Sequence, residues 1–344
     1  MTKQDYTVIE RMYDFKNPVE LRNYLSQVYT ITKKKLAGTI LIGKIPYAYQ
    51  YFQLYSANPS ITNAPEEVIS YQYYSDLDGV FSASAGYTSP GKHQYSFDTH
   101  TGNLDWGIWV GVLPYYKGDP TKTIDALNRY FAKNHAFRSG QRNIPQRYME
   151  ISEFYTAATQ AEHDQMLGWL VDGQYAWTPF SIQANALFYF NSTPKGITVD
   201  QGYAALRAGV ADFVVTDSHG WQQASGKIDI KWVESGDVKT LFFFSNGCAV
   251  GNLDYADNFL TSMLYSPTSS VLVARGSTNN SGGMGNNANG FFGHNIATAL
   301  NQGFSYGDAI ISHVNVPLVY PYSLSRELHF SPNIVLGDPT LKVR

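Results

Sequence analysis

Short apolar runs alternate with helix-length amphipathic segments through most of this chain, and few folds accept that order. After the polar "RSGQRNIPQ" (residues 138–146) come the strand "RYMEISEFY", the helix "AEHDQMLGWLV" and the strand "ANALFYFN". The helix "TVDQGYAALRAG", the strand "ADFVVTDSHG", the strand "KTLFFFSNGC", the helix "LDYADNFLTSMLY" and the strand "SSVLVARGST" follow. The first part runs similarly. Asn17 and Pro18 open a helix over "NPVELRNYLSQVYTITKKKL", Pro46 stops the strand "GTILIGKIP", and the strand "DWGIWVGVLP" precedes the helix "PTKTIDALNRYFAKNHAF". Strands alternating with helices imply βαβ crossovers and a mostly parallel sheet with helices on both faces. The expected fold class is α/β, with two α/β subdomains at 1–140 and 141–344 divided at "SGQRN".

The bulk properties exclude several classes. Residues are 44% hydrophobic and 15% charged, as in a globular chain, and 344 residues suffice for about two cores. A net charge of −3 offers no basic field for nucleic acid. No segment is apolar enough for a membrane span, and "MTKQDYTVIERMYDF" has no secretory leader pattern. The sole cysteine, Cys248, forbids an internal disulfide and a thiolate zinc cluster. High Tyr and Gly usage with few charges hints at an extracellular bacterial enzyme.

Ligands of parallel α/β sheets bind beyond the carboxyl ends of the strands. "ADFVVTDSHG" ends in His219 and Gly220, and "LFFFSNGC" ends in Cys248. On neighbouring parallel strands, the imidazole and the thiol emerge at one edge. A histidine there can take the thiol proton, and the backbone N–H groups of Gly220 and Cys248 can receive an oxyanion. A lone cysteine after an apolar strand is ordinarily packing, and a strand-end histidine ordinarily a surface group. Both at the ends of successive strands, each beside a glycine, form a stronger signal than either alone.

The order of motifs resembles the gingipain-type cysteine peptidases, relatives of caspases, legumain and clostripain. "DSHGW" and "NGCAVGN" carry the resemblance, with "GTILIGKIP", "YYSDLDG", "DWGIWVGVLPYYKGDPTKTIDALNRYFAKN" and the closing "GDPTL". It implies an A subdomain followed by a caspase-like catalytic B subdomain, with Cys248 as nucleophile and His219 as general acid/base. The implied reaction is peptide-bond hydrolysis through a thioester, with no cofactor, on a protein or peptide substrate outside the cell or at its surface. Two other readings share the scaffold: a processing or sorting transpeptidase, and a catalytically silent binding or assembly module.

The chain also departs from the family. Its start corresponds to a point inside the family's module, as in a trimmed precursor. Neither Glu153 nor Glu162 aligns convincingly with the family's third acidic residue. Asp217 shares a strand face with His219 and could orient it, although an exposed strand-end acid is the competing reading. Asp76 and Asp78 form a fragment of a calcium loop, against the alternative of an Asx-rich turn. His93 and His100 flank Asp98 in a loop, where metal binding competes with the favoured reading of a solvated loop. Asn279 and Asn280 begin a Gly/Asn-rich loop (277–290) where the family builds a wall of its substrate pocket.

Overall fold

A computed structural model describes residues 6–52, 66–83, 94–141, 144–162, 186–192, 198–279, 296–315 and 333–343. Asn17 accepts the Glu20 N–H at 3.0 Å and caps helix α1 (Pro18–Ile31), which ends before left-handed Lys33 and Lys34. Strands β1 (Gly38–Gly43), β2 (Tyr49–Phe52) and β3 (Glu66–Ile69) lead to the short helix α2 (Gln72–Ser75). After β4 (Val80–Ser82), β5 (Ser96–Phe97), β6 (Thr99–Thr101) and β7 (Trp109–Pro114) comes α3 (Pro120–Arg138), capped by Asp119. Beyond residue 141 lie β8 (Tyr148–Ala157), β9 (Ala186–Ser192), α4 (Val199–Ala208) and β10 (Phe213–Asp217). A hairpin region of β11 (Gly220–Trp221), β12 (Ala224–Ser225) and β13 (Ile228–Asp229) precedes α5 (Ile230–Glu234) and β14 (Phe242–Ser245). The chain closes with α6 (Phe259–Tyr265), β15 (Val273–Ser277), α7 (Tyr306–Val314) and β16 (Asn333–Gly337). The expected helix "AEHDQMLGWLV" falls largely outside the described residues.

One eight-stranded sheet, ordered β1-β7-β16-β15-β14-β10-β8-β9, organises these elements. Every neighbouring pair is parallel except β15 and β16. The fold is therefore mixed α/β with two parallel half-sheets meeting at an antiparallel seam. Strands from both sides of residue 141 share this sheet, and β16 seats on β7 through Leu336 and Val112.

The Phe242–Phe243–Phe244 run is apolar throughout because β14 is covered on both faces. Phe242 stacks on Tyr306 of α7 at 5.7 Å, whereas Phe243 meets Phe259 of α6 at 5.9 Å. Successive side chains point to opposite faces, so these contacts place α6 and α7 on the two sides of the sheet. Helix α6 starts later than its sequence pattern predicts. Asn252 accepts the Asp254 N–H in a local turn, and Asn258 caps the helix by accepting the Thr261 N–H. Asp254 and Asp257, expected on that helix, lie in the preceding loop and bind Tyr49 and Lys117.

"GDPTL" explains itself as a lock on this architecture. Asp338 accepts from Asn134 and Arg138 of α3 and from the Thr340 N–H. The Pro339 and Leu341 carbonyls accept the Gly307 and Tyr306 N–H groups at the start of α7. Gly337 has φ +111°, and a Cβ there would collide with the Leu272 carbonyl across the seam. No helix among the described residues is long and apolar enough to cross a membrane. Gly337→Ala should lower stability by about 2–5 kcal/mol, from backbone strain plus overpacking. Urea denaturation checks this; an unchanged midpoint would mean that the seam tolerates a side chain.

Candidate active site

Strands β10 and β14 lie side by side with Thr216 opposite Ser245, and the Asn246 N–H extends the ladder by donating to the Thr216 carbonyl at 2.9 Å. His219 and Cys248 each stand three residues beyond that last pair. Both therefore follow the same sheet edge, in the loops that leave two neighbouring parallel strands. Past the ladder the two chains still touch. A Cβ on Gly220 would lie 2.7 Å from the Gly247 Cα and 2.9 Å from the Val250 Cγ1, so the loops meet backbone to backbone.

Each loop is held separately. His219 is exposed, and its ring packs edge-on against Phe154 at 4.8 Å. Its carbonyl accepts the Gly226 N–H at 2.7 Å across the β11–β12 hairpin. That bond flanks the Gly220–Ser225 pair, which makes it a non-hydrogen-bonded pair of the antiparallel ladder. The Gly220 N–H is therefore directed away from the hairpin partner. Cys248 is half-buried. Ala249 follows it with φ +55°, a left-handed conformation uncommon without glycine, and donates its N–H to the Asn279 carbonyl at 2.7 Å. A second bond, from the Gly251 N–H to the Ser277 carbonyl, staples the same turn to the end of β15. Asn279 thus contacts the cysteine turn through its backbone, while Asn280 and most of the 277–290 loop fall outside the described residues.

The acids near the site face elsewhere. Asp217 is 4% exposed, which corrects the reading of it as a solvated strand-end acid. The strand buries both its faces, so even a polar residue at its end is enclosed. Its carboxylate accepts from Ser152 Oγ at 3.0 Å and Asn246 Nδ2 at 3.3 Å. Burial and the nearby Glu150 push its pKa up to about 7, against the lowering effect of those two donors. Glu153 accepts from the Tyr203 hydroxyl at 2.7 Å and the Lys227 N–H at 3.1 Å, anchoring the turn between β12 and β13. Neither acid hydrogen-bonds the His219 imidazole. Glu162 accepts the Ala158 and Thr159 N–H groups at a helix start.

Asp76 and Asp78 have different partners. Asp76 is buried against His100 Nε2 at 2.6 Å and accepts the Gly79 N–H at 2.7 Å, whereas Asp78 faces Lys34 and Asn103. Asp76 is fully buried and Asp78 is exposed, so the two carboxylates face different surroundings. His93 lies outside the described residues. Among the described residues no group of three or more His, Cys, Asp or Glu side chains could hold a metal ion. Sequence reasoning passed over the buried hydroxyls of Thr216, Ser218, Ser225 and Ser245 beneath the two loops. The available signal was small polar residues interrupting otherwise apolar strand ends, as in "VVTDS" and "FFFSN".

No family model and no curated protein matches this chain. A solved structure described as "Structure of Protease" superposes with a TM-score of 0.51, covering 95% of this chain and 69% of its own at 11% identity. At that identity the likeness is one of fold: the chain shares the architecture of a protease.

Asp217 gives a pH-dependent test of this site. Its folded pKa exceeds the ordinary value of 3.8, so the folded chain binds the proton more tightly than the unfolded one. The associated stability is complete below about pH 4 and is lost as pH rises through about 7. Asp217→Asn should therefore gain in melting temperature relative to the wild type between about pH 5 and about pH 8. A constant difference across that range would mean that Asp217 titrates as an ordinary carboxylate.

Proposed function

We propose that the protein is a gingipain-like cysteine peptidase in which Cys248 and His219 form the catalytic dyad. The observation that carries this reading is their matching position beyond the Thr216–Ser245 pair on adjacent parallel strands. The protease fold of the structural neighbour supports it independently.

In the proposed reaction, His219 takes the proton from Cys248 Sγ, and the thiolate adds to the scissile carbonyl carbon. The carbonyl oxygen becomes an oxyanion received by the Gly220 and Cys248 N–H groups. Protonated His219 then gives its proton to the departing amine nitrogen as the C–N bond breaks, leaving a thioester on Cys248. Water, losing a proton to His219, adds to the thioester carbonyl. Collapse releases the carboxylic acid product and returns the proton to sulfur. The Gly220 orientation suits this chemistry, since its N–H is not spent on the hairpin pair. Contact between Gly220 and Gly247 keeps the two proposed donors on adjoining backbone. A protein or peptide outside the cell or at its surface is the proposed substrate.

Cleavage of a positional peptide library by the purified protein tests the reading. Cys248→Ala and His219→Ala should each reduce kcat by about a thousandfold or more while leaving the melting temperature near the wild-type value. In parallel, iodoacetamide should alkylate Cys248 in the native protein, more slowly in His219→Ala. Turnover that survives Cys248→Ala would remove the peptidase reading.

A further inference from the structure

Building on the peptidase reading, we propose that Ser225 is a positioning residue that sets the His219–Gly220 hairpin against the Cys248 turn. Its hydroxyl lies 3.1 Å from Thr216 Oγ1, 3.0 Å from Ser218 Oγ and 2.8 Å from Ser245 Oγ. All four residues are at most 2% exposed. Ser245 Oγ in turn accepts the Gly247 N–H at 3.1 Å. One buried hydroxyl therefore links the ends of β10 and β14 to the hairpin between them.

The location gives this hub its consequence. Ser225 stands directly opposite Gly220 in the hairpin, and Gly247 immediately precedes Cys248. The chain of contacts runs from the Gly220 pair through Ser225 and Ser245 to the Gly247 N–H. It begins where the β10–β14 ladder ends, so the sheet no longer fixes how the two loops sit relative to each other. Packing of Gly220 on Gly247 limits their approach, but sphere-on-sphere contact lets the loops slide. Directional hydrogen bonds from a shared oxygen do not. No water can replace the hub without room for it, and removing one member leaves the others buried without their shared partner.

Displacement of a reacting group by about 1 Å can cost on the order of a hundredfold in rate. Ser225→Ala should therefore lower kcat by about tenfold to a hundredfold with KM nearly unchanged. Ser245→Ala severs the same link and should do likewise. The double variant should fall little below the worse single one, because both changes remove one connection. Thr240→Val is the control. Its buried hydroxyl donates to the Asp212 carbonyl at the opposite end of the sheet, so its loss should lower stability without changing kcat. If Ser225→Ala does not fold, Ser245→Ala alone carries the test. An active wild type with unchanged kcat in the folded serine variants, or a kcat loss matched by Thr240→Val, overturns the positioning role and leaves the peptidase reading intact. A wild type without turnover overturns the reading beneath it.

Discussion

The parallel register that sets Thr216 beside Ser245 is the constraint on which the site depends. Two strands that end together deliver whatever follows them to one place, and here His219 and Cys248 follow at equal distance. A one-residue slip would move the β14 side chains to opposite faces, exchanging the partners of Phe242 and Phe243. Tyr306 on one side and Phe259 on the other make that slip costly. The register of the site is thus enforced by aromatic packing well below it.

The same logic extends outward. The antiparallel seam between β15 and β16 joins the two parallel half-sheets, and the residues after β16 fasten it to α3 and α7. The end of β15 then accepts the Gly251 N–H through Ser277, and Asn279 accepts that of Ala249. A chain segment more than eighty residues from the terminus is held in position partly by the terminal motif. The "GDPTL" sequence therefore acts on the cysteine turn through the strand it pins, without approaching it.

Much of this was legible in the sequence. The strand–helix alternation implies a mostly parallel sheet with helices on both faces, and His219 and Cys248 at the ends of two of its strands point to the edge where ligands bind. What was not legible has physical causes. Double-sided burial erases the polar-out alternation that would have revealed Asp217 as enclosed. Asn252 and Asn258 compete for backbone N–H groups and delay α6, which no apolar periodicity reports. Strands β11 to β13 are two residues each, too short for any period, so the meeting of Ser225 with Thr216, Ser218 and Ser245 arises only in three dimensions. Asp76 and Asp78 alternate as a cation loop does, but the turn sends one inward to His100 and the other out to Lys34.

The central claim is covalent: a substrate acyl group passes through Cys248 with the help of His219. Acid-quenched intact-mass spectrometry during turnover of an activated peptide ester tests it most directly. The account predicts a transient mass increase equal to the acyl group, mapped to Cys248, labile to hydroxylamine as a thioester, and abolished in Cys248→Ala. In His219→Ala the adduct should form far more slowly. Turnover with no adduct on Cys248, or an adduct whose formation ignores His219, would contradict the dyad.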